Sequence, residues 1–234
     1  DSYLLNLTQA IPVATNLSLK ELFHRSNARY KLCITDHCVV FSPEPFIKIH
    51  DGIISTHPMK GTIDAGLPNA ETLLSDNPKE LAEHYTIVDL LRNDLNMIAE
   101  KVRVERFRYV EKIQTTKGEL LQTSSHICGR LPDRFDQSLG DILIKLLPAG
   151  SVSGAPKKKT VEIIQRSEGY KRGYYTGVFG IFDGKNLNSA VMIRYIEKTA
   201  EGLVFKAGGG ITVNSRAEDE YLEMIQKVYL PFNQ

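Results

Sequence analysis

The sequence predicts an α+β fold in which large antiparallel sheets are flanked by helices. Stretches of alternating apolar and polar residues occur in groups separated by short turn signals, which is typical of antiparallel hairpins and meanders. Long segments with apolar residues three and four positions apart lie between those groups and indicate amphipathic helices. Grouped strands between long helices favour α+β over alternating βαβ units. With 234 residues, of which 42% are hydrophobic, the chain can bury a core, and we expect one domain over residues 1–234.

The first half of the chain opens on a strand signal and closes on a long helix. In order, we predict a strand, a helix, two alternating stretches and a second helix over residues 1–13, 18–27, 30–42, 46–58 and 77–100. Ser18 and Glu21 form a capping box at the start of the first helix, and Asp51-Gly52 is a hairpin signal. Because the chain lacks an initial Met and opens in a strand, we expect upstream sequence to be missing.

The second half repeats this mixture of strands and helices. In order, we predict a strand, two helices, three strands and a last helix over residues 102–113, 139–150, 155–169, 174–183, 187–198, 202–210 and 215–232. Pro156 suits the first turn of its helix, and Gly169 suits the position after its end. The last three strands are separated by Asp183-Gly184 and Glu201-Gly202, so we expect them to form a meander.

Composition excludes several classes of protein. The formal net charge is +1, which gives no reason to expect a nucleic acid or a strongly acidic partner. No apolar run approaches the roughly 18 residues of a membrane helix, and no basic segment followed by an apolar one marks a signal peptide. The three cysteines are odd in number and form no CxxC pair, which indicates reduced thiols, so we expect a cytoplasmic protein.

Two pairs of glutamates stand three residues apart on predicted helices. Glu80 and Glu83 share one helix face, and Glu220 and Glu223 share another, with Lys227 four residues further along. Either pair alone is typical of a solvated helix face. Brought together, the two pairs would make a site of oxygen ligands only, which suits a hard cation such as Mg²⁺.

Two glycine-containing stretches suggest places where an anion could bind. Gly208, Gly209 and Gly210 end a predicted strand, where glycine often marks a bulge or the close approach of a ligand. Backbone N–H groups exposed there could hold a carboxylate. Ser153 and Gly154 precede a helix N-terminus, which favours an anion, although the Gly-Lys-Ser/Thr ending of a Walker A loop is absent.

Arg194 lies in an apolar stretch, VMIRYI. An arginine among apolar neighbours is costly to bury unless it is paired. It therefore either faces solvent on the pleat or points into a site, where it would bind a carboxylate. Tyr174 and Tyr175 are typical of packing residues, although one of the hydroxyls could serve as a hydrogen-bond donor.

The order of the short motifs along the chain resembles that of the chorismate-utilising enzymes. That order is SPEPF, PMKGT, AEHYTIVDLLRND, AGSVSGAPKKKTVEII, YTGVFGIF, MIRYIE, AGGGITVNS and EYLEMIQK. The family includes anthranilate, aminodeoxychorismate, isochorismate and salicylate synthases. The resemblance covers essentially the whole chain, and it implies the anthranilate synthase component I-like fold and an enzyme that acts on chorismate.

The residue at position 60 indicates which reaction the resemblance implies. In a Pro-x-x-Gly turn it could be an ordinary surface lysine. Family members that make anthranilate usually carry Ala at this position, whereas those that make 4-amino-4-deoxychorismate carry Lys in the P-x-K-G-T element. The resemblance therefore implies amination of chorismate at C4, with Lys60 as the covalent nucleophile. A desolvated lysine can supply the neutral amine that such an attack needs.

The resemblance also implies roles for other residues. Glu44 of the SPE element matches the general acid that protonates the departing hydroxyl. Glu83 and Glu223 match ligands of Mg²⁺, with Glu80 and Glu220 in support. The implied contacts to the substrate are Gly61, Thr62 and Lys227 at the ring carboxylate, Tyr175, Arg194 and the backbone of Gly208, Gly209 and Gly210 at the enolpyruvyl carboxylate, and Ser153 in the wall of the pocket.

Two positions depart from the family pattern. Leu4 lies where relatives carry glutamine or lysine, and that lysine is the water-activating base of the isochorismate and salicylate makers. Its absence argues against their chemistry. Gln122 lies where relatives often carry histidine, and glutamine cannot transfer a proton at neutral pH. The change argues against an aromatising step, which agrees with a product that keeps its pyruvyl ether.

We expect ammonia to come from a separate glutamine amidotransferase subunit, because the chain shows no Cys-His amidotransferase pattern. Two alternatives stay open. One is anthranilate synthase component I, and the other is a catalytically inactive subunit that binds chorismate or a partner. The presence of Lys60, Glu44 and the four helix glutamates argues against the inactive subunit.

Overall fold

The computed structural model describes residues 3–76, 78–115 and 118–230. These residues form two compact units. Unit 1 is drawn from residues 1–44, 148–179 and 190–234, and unit 2 from residues 45–147 and 180–189. Each unit has its own sheet and its own flanking helices. The single domain expected over residues 1–234 stays a prediction.

The described residues alternate between strands and helices along the chain. The strands are β1 (Leu4–Val13), β2 (Tyr30–Ile34), β3 (Cys38–Ser42), β4 (Pro45–His50), β5 (Ile53–Thr56), β6 (Met59–Asp64), β7 (Glu100–Thr115), β8 (Gly118–Arg130), β9 (Gly154–Ala155), β10 (Val178–Phe182), β11 (Leu187–Val191), β12 (Tyr195–Thr199) and β13 (Gly202–Ile211). The helices are α1 (Leu19–Arg25), α2 (Ala70–Ser75), α3 (Pro78–Asn96), α4 (Leu139–Leu146), α5 (Gly150–Ser153), α6 (Lys157–Ser167) and α7 (Ala217–Gln226), with a 3₁₀ turn at Phe135–Ser138.

The sheet of unit 1 has the strand order β2-β3-β12-β13-β1-β9, and its neighbouring strands are antiparallel. Helices α1 and α7 cover one face of it. Their buried residues Leu22 and Met224 pack with Phe41, Ile196 and Phe205 of the sheet in one apolar cluster. Burying side chains of this size provides most of the driving force for folding such a layer. The cluster anchors α7 and β13, which carry several candidate site residues.

The sheet of unit 2 has the strand order β10-β11-β4-β5-β8-β6, and β7 pairs with β8. Strand β8 lies antiparallel to β5, β6 and β7. Helix α3 contacts β6, β7 and β8, and its residues Ile87, Val88 and Leu95 are buried. This apolar face holds the helix on the sheet and so places the Glu80–Glu83 pair beside β6.

Two local predictions are confirmed. Ser18 and Glu21 form the capping box of α1, with each side chain bonded to the backbone of the other residue. Asp51-Gly52 joins β4 to β5 as a hairpin, while the preceding stretch, residues 30–42, folds into a hairpin of its own, β2–β3. None of the three cysteines, all of which are described, forms a disulfide. No helix in the described ranges is long and apolar enough to cross a membrane.

The predicted strand over residues 187–198 is wrong as a single element. The chain breaks at residues 192–194, where Arg194 has a positive φ of 52°, outside the extended region. Strand β11 before the break joins one sheet, and β12 after it joins the other. The expected three-strand meander is therefore two separate pairs, β10–β11 and β12–β13.

The predicted ends of other elements also shift. Thr176 has a φ of 65°, so β10 begins at Val178 rather than at residue 174. The last helix ends at Gln226, earlier than the predicted residue 232, and the chain beyond Lys227 leaves helical geometry. Residues 231 and 232 of that prediction lie outside the described residues.

Candidate functional site

The sequence-predicted site residues divide between the two units. Unit 2 contains Lys60, Gly61 and Thr62 on β6, and Glu80 and Glu83 on α3. Unit 1 contains Glu44, Ser153, Tyr175, Arg194, Gly208, Gly209, Gly210, Glu220, Glu223 and Lys227. The roles that the family resemblance implies for these residues stay predictions.

In unit 2, the candidate nucleophile and a candidate metal ligand form an ion pair. Lys60 Nζ donates a hydrogen bond to Glu83 Oε2 at 3.0 Å, and the two side chains are 29% and 18% exposed. A partly buried pair of this kind is screened by solvent less than a surface pair. The backbone of Lys60 is held as well, because Thr123 Oγ1 on β8 donates to its carbonyl oxygen. Lys60 is therefore not a solvated turn residue.

A bulge beside Lys60 brings a second carboxylate to β6. The pairing of β6 with β8 shifts register between Lys60 and Thr62, and Gly61 between them has a φ of +74°. A Cβ atom on Gly61 would lie 3.2 Å from Glu80 Oε2 and 3.0 Å from Leu74 Cδ1. Glycine satisfies both the positive φ and the close approach of that carboxylate.

Thr62 faces the position that departs from the family pattern. It pairs with Gln122 on β8, and Gln122 Nε2 donates to Thr62 Oγ1 at 3.3 Å. The glutamine thus orients a hydroxyl beside Lys60. It supplies no group that titrates near neutral pH.

A buried histidine connects α3 to β8 through a hydrogen bond. No pattern in the sequence singled it out. His84 follows Glu83 and is fully buried, and its Nε2 lies 2.6 Å from Ser125 Oγ. The backbone N–H of Ser125 donates to Pro58 O at 2.9 Å, just before β6. Burial, together with the charges of Arg108 and Lys60, lowers the pKa of His84 from 6.5 to about 4. A neutral histidine thus fixes the helix that carries Glu83.

In unit 1, the candidate general acid is oriented by a serine. Ser151 Oγ donates a hydrogen bond to Glu44 Oε1. The backbone of Glu44 is also held, because its N–H donates to Ser42 Oγ at 3.1 Å and its carbonyl accepts from Val191 N at 3.1 Å. Ser151 was not among the residues expected from the sequence, although it lies two positions before Ser153 on the same short helix.

Ser153 itself makes a local contact. It is 2% exposed, and its hydroxyl donates to Ala149 O at 2.9 Å, a bond within the turn of α5. Its backbone lies at the junction with Gly154, whose φ is 129° and whose Cβ position would fall 2.0 Å from Leu4 O. Only glycine permits β1 to approach this closely.

The glycines of β13 separate into two kinds. A Cβ atom on Gly208 would lie 2.3 Å from Leu7 O, so this glycine allows β1 to pair closely. A Cβ atom on Gly209 would instead lie 3.6 Å from Glu220 Oε2 and 3.8 Å from Lys227 Nζ. Gly209 therefore leaves room for charged side chains of α7 above the strand.

Those charged side chains repeat the arrangement seen in unit 2. Lys227 Nζ donates to Glu223 Oε1 at 2.7 Å and to Gly208 O at 3.1 Å. Glu220 Oε1 accepts from Ser215 Oγ at 2.5 Å. In each unit, one glutamate of the i, i+3 pair is bonded to a lysine of the predicted site.

Arg194 and Tyr175 lie in the irregular segments that interrupt the strands. The Arg194 guanidinium lies 5.2 Å from the ring centroid of Tyr229, and within the described residues its Nε has no hydrogen-bond partner. Tyr175 is 4% exposed, and burial raises the pKa of its hydroxyl. The orphaned Nε leaves Arg194 a donor for an anionic ligand.

The donor chemistry of the four glutamates suits a hard divalent cation. All four offer carboxylate oxygens at helical spacing, and Mg²⁺ prefers such oxygens to nitrogen or sulfur. Within the described part of either unit alone, no three histidine, cysteine or acidic side chains form a group that could hold a metal. A site made of both glutamate pairs draws on both units and stays a prediction.

Comparison with known proteins identifies the family. A sequence model of the family described as "chorismate binding enzyme" matches residues 1–232. An "Uncharacterized PabA-like protein" from Haemophilus influenzae is 59% identical over 231 residues, which are 99% of this chain and 70% of that protein. "Aminodeoxychorismate synthase component 1" from Bacillus subtilis is 34% identical over 196 residues, which are 80% of this chain.

A solved structure confirms the predicted fold. Anthranilate synthase component I from Streptococcus pneumoniae matches with a TM-score of 0.78 and 30% identity, and the match covers 97% of this chain. The chain spans 52% of that structure and a smaller share of the Bacillus relative. Identities of 34% and 30% to proteins named for two different products do not distinguish those products.

Proposed function

Because this chain belongs to the chorismate binding enzyme family, we propose that it is the synthase component of an aminodeoxychorismate synthase, with Mg²⁺ as its cofactor. The reaction would convert chorismate and ammonia into 4-amino-4-deoxychorismate and water, for p-aminobenzoate and folate synthesis. The observation that favours this product over anthranilate is Lys60. Its amine is half-buried and bound by Glu83 in unit 2, rather than free in solvent.

The proposed reaction has two substitution steps. The Lys60 ammonium would leave its ion pair with Glu83 and lose a proton to solvent, and the resulting amine would form a bond to ring C2 as the ring double bonds shift and the hydroxyl leaves C4. Ammonia then forms a bond to C4, the double bonds shift back, and the C2–N bond to Lys60 breaks. Lys60 is thereby regenerated, and the ring is not aromatised. Covalent catalysis of this kind replaces one difficult substitution by two easier ones.

Glu44 supplies the proton in this scheme. A poor leaving group such as hydroxide departs readily only if it is protonated to water as the C–O bond breaks. The hydrogen bond from Ser151 fixes one carboxyl oxygen of Glu44, so the carboxyl group is held in one orientation before the substrate arrives. Such preorganisation reduces the entropic cost of the transfer.

The remaining candidates would bind the two substrate carboxylates. Arg194, with its orphaned Nε, and the backbone N–H groups of Gly208 to Gly210 suit the enolpyruvyl carboxylate. Thr62 and the ammonium of Lys227 suit the ring carboxylate. Glu80, Glu83, Glu220 and Glu223 would hold Mg²⁺, which when bound would neutralise a substrate carboxylate and orient the ring.

A glutamine amidotransferase subunit would supply the ammonia. The Bacillus relative is named as component 1 of its synthase, which implies a further component of that enzyme. The chain has no Cys-His amidotransferase pattern of its own. We propose that both subunits work in the cytoplasm.

Product analysis tests the proposal. The chain is incubated with chorismate, Mg²⁺ and ammonium, and the products are identified by mass and by anthranilate fluorescence. We expect a non-aromatic product in which an amino group replaces the C4 hydroxyl. Anthranilate as the wild-type product would instead assign the chain to the anthranilate-making members. No conversion of bound chorismate would favour the inactive subunit.

A matched pair of lysine variants makes the test specific. Lys60→Ala should abolish the C4-aminated product. Lys159→Ala removes a lysine from another Lys–Glu ion pair, in which Nζ lies 3.2 Å from Glu162 Oε2 on the exposed surface of α6. We expect this control to keep wild-type turnover, because an exposed pair contributes little to stability.

A further inference from the structure

Unit 1 contains a buried ion pair to which the proposed reaction assigns no role. Arg172 Nε and Nη2 donate to the two carboxylate oxygens of Glu168 at 2.8 and 2.6 Å, a side-on bidentate geometry. The side chains are 16% and 4% exposed. Burying such a pair is costly in desolvation, so its remaining hydrogen bonds indicate what it holds in place.

Glu168 binds strand β1. Its Oε1 accepts from the backbone N–H of Thr8 at 2.8 Å and from Thr8 Oγ1 at 2.7 Å. The hydroxyl of Tyr170 lies 2.5 Å from Thr8 Oγ1, and since the Thr8 proton goes to Glu168, Tyr170 is the donor. Thr8 pairs with Gly208 across β1 and β13. The carboxylate thus fixes the strand against which Gly208 is registered.

Arg172 binds two further segments through the rest of its guanidinium. Nη1 donates to Val152 O at 2.8 Å and lies 3.4 Å from Thr176 Oγ1. Nη2 donates to Asn6 O at 2.8 Å. A planar guanidinium with five donors can satisfy these acceptors together, whereas the single ammonium of lysine cannot.

Each of these contacts lies beside a candidate substrate residue. Val152 precedes Ser153, Thr176 follows Tyr175, and Thr8 is the strand partner of Gly208. Thr176 has a φ of 65°, a conformation that needs support from its surroundings. One ion pair therefore joins the segments that present Ser153 and Tyr175 to β1, whose Thr8 is the strand partner of Gly208.

A second buried cation holds the backbone of Arg172 itself. Lys206 Nζ donates to Arg172 O at 3.0 Å and pairs with Glu197 Oε2 at 2.6 Å, and its side chain is 4% exposed. Lys206 lies on β13, two residues before Gly208. The turn after α6 is thus fixed to the sheet through both the backbone and the side chain of Arg172.

We propose that Arg172 and Glu168 are positioning residues that hold the segments presenting Ser153, Tyr175 and Gly208 in the geometry for substrate. The proposal rests on the proposed function, because the family resemblance behind that function implies substrate contacts for those three residues. Neither Arg172 nor Glu168 need touch the substrate. Their effect is to keep three separate stretches of backbone in register with one another.

Two variants and two controls test this role. Arg172→Lys keeps the charge but cannot make all of the hydrogen bonds, and Glu168→Gln keeps the shape but loses the ion pair. Arg216→Lys makes the same arginine change in an exposed pair with Asp219. Ile164→Val removes one buried methyl group from α6 and lowers stability without changing a hydrogen bond.

The first readout is steady-state kinetics with chorismate, measured beside Tm. We expect Arg172→Lys and Glu168→Gln to lower kcat/KM by about 10²-fold, mainly through KM, since small displacements of binding groups have effects of that size. Ile164→Val should lower Tm with kcat/KM unchanged, and Arg216→Lys should change neither. If Arg172→Lys kept the kcat/KM of the controls, the pair would be purely structural and the proposal would be wrong.

The second readout does not depend on turnover. Hydrogen exchange should become faster at residues 150–153, 173–177 and 206–210 in Arg172→Lys, but not in Arg216→Lys. If the wild type does not convert chorismate, the proposed function is wrong. The hydrogen-exchange measurement then tests the positioning role of Arg172 and Glu168 by itself. Unchanged exchange at all three segments would overturn the positioning role in either case.

Discussion

Lys60 Nζ lies 3.0 Å from Glu83 Oε2, so the candidate nucleophile and a candidate magnesium ligand occupy one ion pair. The relationship depends on three elements of unit 2. Strand β6 presents Lys60, helix α3 presents Glu83, and β8 holds both through Thr123 and Ser125. Lys60 therefore points toward the acidic face of α3, whereas an ordinary turn lysine would face solvent.

The covalent role of Lys60 predicts a mass adduct on this residue. With chorismate and Mg²⁺ but without ammonia or glutamine, the covalent intermediate on Lys60 would accumulate, because no ammonia is present to release the lysine. Peptide mapping should then locate on Lys60 the mass of chorismate less one water. An adduct on Lys159 instead, or none on rapid quenching of active enzyme, would contradict the assignment.

The metal assignment predicts that activity depends on Mg²⁺ and on both helix pairs. Glu83→Gln and Glu223→Gln should each weaken magnesium-dependent turnover severely, since each removes a charged oxygen ligand. Titration calorimetry of magnesium measures the same loss without turnover. The exposed Glu162→Gln serves as the control, because Glu162 pairs with Lys159 on α6. Full activity of EDTA-treated wild type would show that no metal is needed.

Glu44→Gln should lower kcat by about 10²- to 10⁴-fold, the usual effect of losing a general acid, while chorismate binding stays near wild type. Ser151→Ala should give a smaller loss in kcat, because it frees the carboxyl group without removing it. Ser138→Ala breaks only a local bond, from the Ser138 hydroxyl to Phe135 O at 3.4 Å, and provides the comparison. A Glu44→Gln enzyme with normal kcat would exclude Glu44 as the acid.

Comparing Gly61→Ala with Gly52→Ala distinguishes two effects of an added Cβ atom, which are backbone strain and a close contact with Glu80. Both glycines have positive φ, at +74° and +76°, so each substitution should lower the free energy of unfolding by about 1 kcal/mol or more. Only at Gly61 would the added Cβ meet Glu80 Oε2, since no described atom lies within 4 Å of the Cβ position at Gly52. We therefore expect turnover to fall in Gly61→Ala alone. Equal activity in the two variants would show that the Glu80 contact is dispensable.

The lowered pKa of His84 predicts that the protein loses stability in mild acid. Its folded-state pKa of about 4 lies below the ordinary 6.5, so the unfolded chain binds this proton first as pH falls. The contribution is fully present above pH 6.5 and is lost between pH 6.5 and 4, by about 3 kcal/mol at most. Urea unfolding of His84→Asn should show a shallower pH dependence over this window. An unchanged slope in His84→Asn would refute the assignment.

Short-range patterns in the sequence predicted several local elements, and the order of its motifs indicated the family. The capping box of α1, the turn at Asp51-Gly52 and the long helix α3 depend on residues close together in the chain, so their signals are visible in sequence. The ordered motifs likewise identified the chorismate binding family and its fold, because a family match uses residue types rather than distances.

Which of those residues contact one another depends on long-range packing. The Lys60–Glu83 pair joins positions 23 apart and the Ser151–Glu44 bond joins positions 107 apart. Such contacts depend on sheet register and helix packing, which local patterns do not encode. The break at Arg194 was missed for the same reason, since a positive φ in an apolar stretch is imposed by surrounding packing rather than by the residue's own preference.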